Sequence, residues 1–536
     1  MGKWAVDWRE TLGPWWRAQL AFFALCLFAA GSTLALADPD LPIHIATGEW
    51  IVRHHAFPLV EPWAWTRAGA PFQAYSWLPE TIYYLTLAHV GPVGLHVLQG
   101  LVYMALGASI VILARAARWN AWTTIVMVAI QLIVALGTTP YLRPQAVLAI
   151  AVPLAWALVL RARDAARLTW ELPALLGLSA VVANSHLLVP IMLAPCVLLL
   201  THPSAHRRRL LTVPLAIVAG WFLTPYALHW VDIYRLNFTP NALLRPPSPI
   251  AEYKPGFTTA VTAGVSSLFM CFAFVALPWV AAPRYSARER ALHGFLWFGG
   301  LLLFAAAVRS LIVWWLLIIP SAALALELLP RATLPALRTA QRAIVIVIFA
   351  SVALLGVDDL SDPWMSTGTI SSRVLPTMNA RSIEPIAEWL DCNVRHDAGG
   401  RLVTVFNYGG YVPWRLPYLS ESIDGRTIFP DSVAKAETYF PPNRAVIPLQ
   451  PWRTADLAIA PVDFPIAGVL DTAAGWHRIA ITSQMEGKAT MIALWVTDRW
   501  WSRAGLVPLP SHLLPLLHRP PVAGEVRARC APDARR

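Results

Sequence analysis

The sequence predicts a polytopic α-helical membrane protein of about eleven transmembrane helices, followed by a small extracytoplasmic α/β domain. Three observations carry this. Of 536 residues, 57% are hydrophobic and only 14% are charged. With a mean hydropathy of +0.52, that is far more apolar surface than a soluble core could hide. Apolar runs approaching the roughly 20 residues that a bilayer core requires recur as far as residue 358. Beyond about residue 359 they give way to short alternating segments punctuated by Gly and Pro, the pattern of strands and turns.

Taken in order, the spans fall near 17–36, 92–114, 121–138, 145–161, 171–186, 188–201, 210–226, 260–281, 292–308, 310–328 and 342–358. The basic stretches between them are Lys3 to Arg17, Arg115 to Arg118, RARDAAR at 161–167, HRRR at 206–209, RYSARER at 284–290 and Arg331 to Arg342. All fall on one side when the spans are counted, and one missed or invented helix would split the set. Basic loops stay cytoplasmic. The N-terminus is therefore expected inside, and the segment 37–91, the loop 228–259 and everything after 359 outside. The first span is long and has no small-residue cleavage site, so it reads as an anchor and not as a signal peptide. The basic clusters also account for the formal charge of +11, and nucleic acid is not an expected partner.

Three units follow: a membrane domain, 1–358, with its first external loop at 37–91; an α/β domain, 359–505; and a Pro- and Arg-rich tail, 506–536, expected to be disordered. In the α/β domain, RLVTVF (401–406), ADLAIAP (455–461) and ATMIALWV (489–496) read as strands and SIEPIAEWLDCNV (382–394) as a helix. The GG at 409–410 predicts a tight turn between β-like runs; it lacks the GK[ST] ending of a phosphate loop. Asp424, Gly425 and Arg426 read as a structural turn with an internal ion pair. Of the five cysteines, Cys26, Cys196 and Cys271 lie in spans as small apolar fillers. Cys392 and Cys530 face an oxidising compartment, but the position of Cys530 in the tail argues against their pairing. No spacing indicates zinc or haem.

Polar residues gather at the outer ends of the spans: Asp38 and Asp40 after the first, Arg143 in TTPYLRPQ, Asn184 and His186 in VANSHLL, Tyr226 in LTPYAL, Glu252 in IAEYKP, and Arg309 between two apolar runs. Ionisable groups at membrane depth mark cavities, because leaving them in lipid costs several kcal/mol. An outward-facing cavity is the economical reading. Asp38 before Pro39 and Asp40 before Leu41-Pro42 each suit a helix N-cap. One cap needs one carboxylate, which leaves the other for chemistry. Asp40 and His44, four apart, share one helix face, while Ile43, Ala46 and Trp50 form an apolar stripe suited to lying along the membrane surface. Arg143 and Arg309 either snorkel to headgroups or bind an anion, for which the guanidinium fork suits phosphate. Asn184 reads more simply as a hydrogen-bonding link between helices.

The run DPDLPIHIATGEWIVRHHAFPLVEPWAWTRAGAPFQAYSWLPETIYY resembles the first external loop of bacterial proteins of the GT-C superfamily of membrane glycosyltransferases, which also contains protein O-mannosyltransferases, aminoarabinose transferases and oligosaccharyltransferases. The pattern falls on Asp38, Asp40, His44, Gly48, Pro58, Trp77, Leu78 and Glu80. RPQ at 143–145, NSH at 184–186, TPY at 224–226, FNYGGYVPWRL at 406–416 and IDGR at 423–426 fit the same set. Two positions depart from it, Glu61 in place of aspartate and Pro42-Ile43 in place of an aromatic pair.

The resemblance implies transfer of a sugar, usually with inversion, from a polyprenyl-phosphate carrier to a glycan, lipid or protein acceptor at the outer face of the bacterial cytoplasmic (inner) membrane. It favours Asp40 as the base, with Asp38 holding a metal or orienting the acceptor. His44, Arg143, His186, Arg309, Glu80 and Glu252 would then bind substrate or phosphate. A divalent metal, magnesium or manganese, on Asp38 and Asp40 stays open. The alternatives are a flippase or transporter of a lipid-linked sugar, which should show hydropathy symmetry between halves, and a non-catalytic scaffold with the same fold.

Overall fold

The computed structural model describes residues 16–33, 36, 38, 40–138, 142–165, 167–200, 207–238, 256, 275–276, 279–328, 378–424, 426, 428, 453–483 and 491–505. The span expected at 342–358, nearly all of that at 260–281, the tail 506–536, Glu252, Cys271 and Cys530 lie outside these residues.

Most of the expected spans within the described residues are α-helices: α1 (Trp16–Thr33), then α4 (Pro92–Ala117), α5 (Ala121–Thr138), α6 (Gln145–Asp164), α7 (Glu171–Ala183), α9 (Arg207–Trp221), α11 (Ala287–Ala306) and α12 (Leu311–Leu328). Among the described residues, the helices at Pro92–Ala117, Gln145–Asp164 and Val308–Leu328 are long and apolar enough to cross a membrane; others, such as Ala121–Ala135 and Leu211–Trp221, are apolar but shorter. The expected span at 188–201 is different: Val189–Cys196 is a 3-10 helix and only Val197–Leu200, α8, is α-helical. Pro195 explains this, since inside the helix it removes an N–H that an α-helical ladder would need.

In lipid-like surroundings helices associate through close packing and polar links. Trp156, Trp314 and Trp315 are fully buried among α5, α6 and α12. Trp156 Nε1 donates to Leu316 O at 3.1 Å, Gln131 Nε2 to Ala149 O at 2.9 Å, and Trp315 Nε1 to Gln131 Oε1. At one end of the bundle the Glu327 carboxylate accepts from Asn120 N and Nδ2 at 2.8 and 2.6 Å. Asp38, Arg143, Asn184 and Arg309 belong to connections at the other end of these helices.

The segment 37–91 contains two α-helices, α2 (Leu41–His54) and α3 (Trp77–Val90), which pack against each other. A short helix missing from the sequence reading, α10 (Trp230–Phe238), stands in the loop expected at 228–259, and its Tyr234 hydroxyl donates to Leu187 O.

From residue 378 onward the described residues form helix α13 (Met378–Asn393), β1 (Gly400–Thr404), α14 (Phe406–Gly409), α15 (Val412–Arg415), β2 (Leu419–Glu421), β3 (Leu457–Pro461), α16 (Pro465–Thr472), β4 (Trp476–Ser483), β5 (Met491–Thr497) and α17 (Asp498–Arg503). The sheet order is β2-β1-β3-β5-β4. β1 runs parallel to β2 and β3, while β5 is antiparallel to β3 and β4. The turn expected at 409–410 is instead a junction between two short helices, with Gly410 at φ −60°. A Cβ on Gly409 would lie 1.9 Å from Ile423 O, so glycine is needed there for close approach and not for a β-turn.

Candidate functional site

Asp38 lies between α1 and α2 with its side chain wholly buried. Arg143, on the turn before α6, donates to it through Nε at 2.8 Å and Nη2 at 3.0 Å. Asp38 Oδ1 also accepts the backbone N–H of Asp40 at 3.0 Å. Two positions thus share the start of α2. Asp40 is its N-cap residue, yet its own side chain makes no capping bond; Asp38, two residues earlier, receives the Asp40 amide. The Asp40 carboxylate keeps a third of its surface exposed, 3.6 Å from Arg143 Nη2.

One turn into α2, His44 Nδ1 meets Glu80 Oε1 at 2.9 Å, and the same oxygen accepts the Ser76 hydroxyl at 2.7 Å. Gly48, one turn further, allows this contact. A Cβ there would fall 2.1 Å from Glu80 O, so no other residue lets α3 come this close. Tyr83 is buried on α3; burial, with the charges of Asp38 and Glu80, raises its phenol so that it stays protonated.

The apolar stripe expected on α2 is covered by protein and not laid along the membrane surface: Ile43 and Ala46 are buried, Trp50 is half-buried against the cluster of Ile51, Ala64, Phe72, Ala74, Ile423 and Ile428, and α2 packs on α3 and on α15. Trp414 of α15 packs on the cluster of Leu36, Leu41, Ile45, Tyr83, Leu95 and Leu142.

The same loop joins the sheet. Glu421 N donates to Trp63 O at 3.1 Å, and Ala64 forms a parallel bridge with Glu421. Arg426 is the charged bolt of this contact. It donates to both oxygens of Glu61 at 3.0 and 2.9 Å, pairs with Asp424, and lies over the rings of Trp63 and Phe72. Glu61, which departs from the expected aspartate, has the longer reach that this bridge uses.

The mainly helical bundle with this sheet-bearing domain docked on its first loop is comparable with known structures. No family model and no curated protein matches the chain. Among solved structures, the arabinofuranosyltransferase AftD from mycobacteria aligns over 90% of this chain and 40% of its own, with a TM-score of 0.56 at 15% identity. The oligosaccharyltransferase AglB from Archaeoglobus fulgidus, in complex with an inhibitory peptide and a dolichol-phosphate, aligns over 85% of this chain and 70% of its own, with a TM-score of 0.56 at 10% identity. ArnT from Cupriavidus metallidurans, bound to undecaprenyl phosphate, aligns over 92% of this chain and 99% of its own, with a TM-score of 0.54 at 15% identity. The chain has the GT-C fold. It is a membrane protein of that architecture, and it spans well under two thirds of AftD.

Within the GT-C fold the expected site residues divide. Asp38, Asp40 and Arg143 come together before α2 and α6, and His44 meets Glu80 one turn into α2. His186 is buried after α7; its Nδ1 accepts Leu188 N–H at 3.2 Å, and Arg309, on the 3-10 turn Val308–Ser310, is its charged neighbour. Asn184 is structural: it accepts from Trp77 Nε1 at 2.5 Å and donates to Ala180 O at 2.8 Å and Leu223 O at 2.7 Å. Tyr226 is likewise engaged, its hydroxyl accepting Ala74 N–H at 2.8 Å.

Both Asp38 oxygens accept N–H groups and the neighbouring side chain, Arg143, is a cation, an arrangement that disfavours a divalent metal on Asp38 and Asp40. Ser76 and Tyr83 escaped the sequence reading, although both flank the WLPE run that located Glu80.

Proposed function

We propose that the chain is a membrane glycosyltransferase that moves a sugar from a polyprenyl-phosphate-linked donor to an envelope glycan, lipid or protein acceptor at the outer face of the bacterial cytoplasmic membrane. The observation that carries this reading is the division of labour between the two aspartates. Asp38 is consumed by structure, so the exposed carboxylate at the lip is Asp40. A carboxylate so placed suits a general base, provided it comes within hydrogen-bond reach of the acceptor.

In the step proposed, the acceptor hydroxyl gives its proton to Asp40 as its oxygen attacks the anomeric carbon. The bond from that carbon to the carrier phosphate breaks from the opposite face, and the phosphate departs with the electron pair. Charge growing on it is best met by fixed cations in a dry site. Arg143 serves from beside Asp40, with His44 and Arg309 as the further candidates. The bound undecaprenyl phosphate of ArnT and dolichol-phosphate of AglB support a lipid phosphate as the carrier class.

The test is mass spectrometry of envelope glycans and lipid-linked sugars in a strain lacking the gene, complemented either with wild type or with Asp40→Asn. Loss of a sugar with accumulation of its lipid-phosphate donor, restored by wild type and not by a membrane-inserted Asp40→Asn protein, is the expected result. Full restoration by Asp40→Asn would remove Asp40 as base and favour the carrier or scaffold readings.

A further inference from the structure

His44 and Glu80 stand in the first turns of two packed helices, and Gly48 sets how closely they approach. The Glu80 side chain is 6% exposed and that of His44 20%. Glu80 Oε1 accepts from His44 Nδ1 and from Ser76, while Oε2 is buried and meets no protein donor. An ionised carboxylate only accepts, so Nδ1 carries the proton and Nε2 is the ring's remaining hydrogen-bonding atom. What Nε2 can do depends on the ring's charge. Burial alone would lower the pKa of His44, but the hydrogen bond and charge of Glu80, with Asp40 and Asp38 behind it, outweigh burial and raise it. An imidazolium donates through both nitrogens and is a poor base, which separates this pair from a histidine that collects the acceptor proton.

Resting on the reading of this site as one for a lipid phosphate, we propose that Glu80 is a positioning residue: it holds His44 by Nδ1 so that Nε2–H is offered as a fixed cationic donor to an anionic group bound beside Asp40. Among the described residues, the charged and titratable groups around the ring are Asp38 and Asp40 ahead of α2, Glu80 and Tyr83 on α3, and Arg143 ahead of α6. The carboxylates outnumber the one guanidinium, so the surroundings favour a cation at His44.

The experiment uses the full chain in lipid nanodiscs, with histidine ring carbons labelled for an NMR titration. His44 is assigned by the signal missing from His44→Gln, and affinity for undecaprenyl phosphate is measured across the same pH range. In wild type the His44 midpoint should lie above the ordinary 6.5, and affinity should fall as pH rises through it. Glu80→Gln should lower the midpoint by about one unit or more and weaken binding about tenfold near neutral pH; Glu80→Asp, which keeps the charge on a shorter arm, should restore part of the shift. His44→Gln should bind with no pH step in this range. An unchanged midpoint in Glu80→Gln overturns the proposal, as does a lowered midpoint with the pH profile of binding unmoved. Should Glu80→Gln not fold, Glu80→Asp decides by the same readings. Absence of undecaprenyl phosphate binding by wild type at any pH would sink the lipid-phosphate reading, while the ligand-free midpoint still decides whether Glu80 holds His44.

Discussion

Arg143 grips Asp38 through two nitrogens across 105 residues of chain, and in doing so separates two aspartates that the sequence leaves equivalent. A buried ion pair is weak evidence of net stability, but removing one partner strands the other. Asp38→Ala should therefore destabilise the protein by about 3–5 kcal/mol. Asp40→Asn should leave stability within about 0.5 kcal/mol of wild type while abolishing transfer. Thermal unfolding of the two purified variants checks this, and equal losses would refute the division.

Gly48 and the carbonyl of Glu80 make a second relationship open to a single-atom test. A Cβ at Gly48 would overlap backbone on α3, 2.1 Å from the oxygen and 2.6 Å from the carbon of Glu80, and backbone cannot swing aside as a side chain can. Gly48→Ala should cost about 1–3 kcal/mol by overpacking and move the His44 midpoint in the same direction as Glu80→Gln. Gly177→Ala is the control: nothing lies within 4 Å of its Cβ position, so it should be neutral or slightly stabilising through helix propensity.

Arg426 joins the first loop to the sheet by satisfying Glu61 and Asp424 together. Arg426→Ala would strip Asp424 and Glu61 of their hydrogen-bonded cation, leaving Glu61 only Arg67 Nε at 3.8 Å, a loss of about 3–5 kcal/mol borne by the contact between the first loop and the sheet. Hydrogen exchange should then rise at residues 61–67 and 419–424 while the helices α4 to α6 stay protected. Exchange rising equally throughout the chain would mean that the helices and the sheet unfold as one and that Arg426 is no local bolt.

How much of this was legible in the sequence follows from the range of the interactions. Apolar runs such as Pro92–Ala117 are set by bilayer thickness and read directly, as do strands β1, β3 and β5 from their β-branched and apolar runs. β2 is three residues long and β4 opens with Trp476, His477 and Arg478, so neither carries a clean alternation. The pairing of Asp40 with His44 is visible because spacing along a helix is local, whereas Glu80, 36 residues from His44 on another helix, enters only through the resemblance. That Arg143 belongs to Asp38, or that Glu61 awaits Arg426 365 residues away, is a long-range choice that no local pattern records. The stripe of α2 was read as membrane-facing for the same reason, since a single chain does not announce that its own C-terminal domain will cover it.

Glu421 supplies the last prediction. It is wholly buried at the edge of the sheet, neither oxygen meeting a donor in hydrogen-bond geometry. Burial first, then the neighbouring carboxyl of Asp424, pushes its pKa well above the ordinary 4.5 despite Arg426 nearby. In the unfolded chain the group loses its proton near that ordinary value; in the folded protein it keeps the proton to higher pH. Between the two values the folded state binds the extra proton, so stability falls as pH rises. The contribution is fully present below the unfolded pKa and lost as pH climbs through the folded one. Glu421→Gln keeps the shape and removes the titration. It should unfold at a higher temperature than wild type near pH 8, the advantage shrinking towards about pH 4.5. Thermal unfolding of the pair at a series of pH values measures that difference, and parallel curves would show that Glu421 titrates alike in both states.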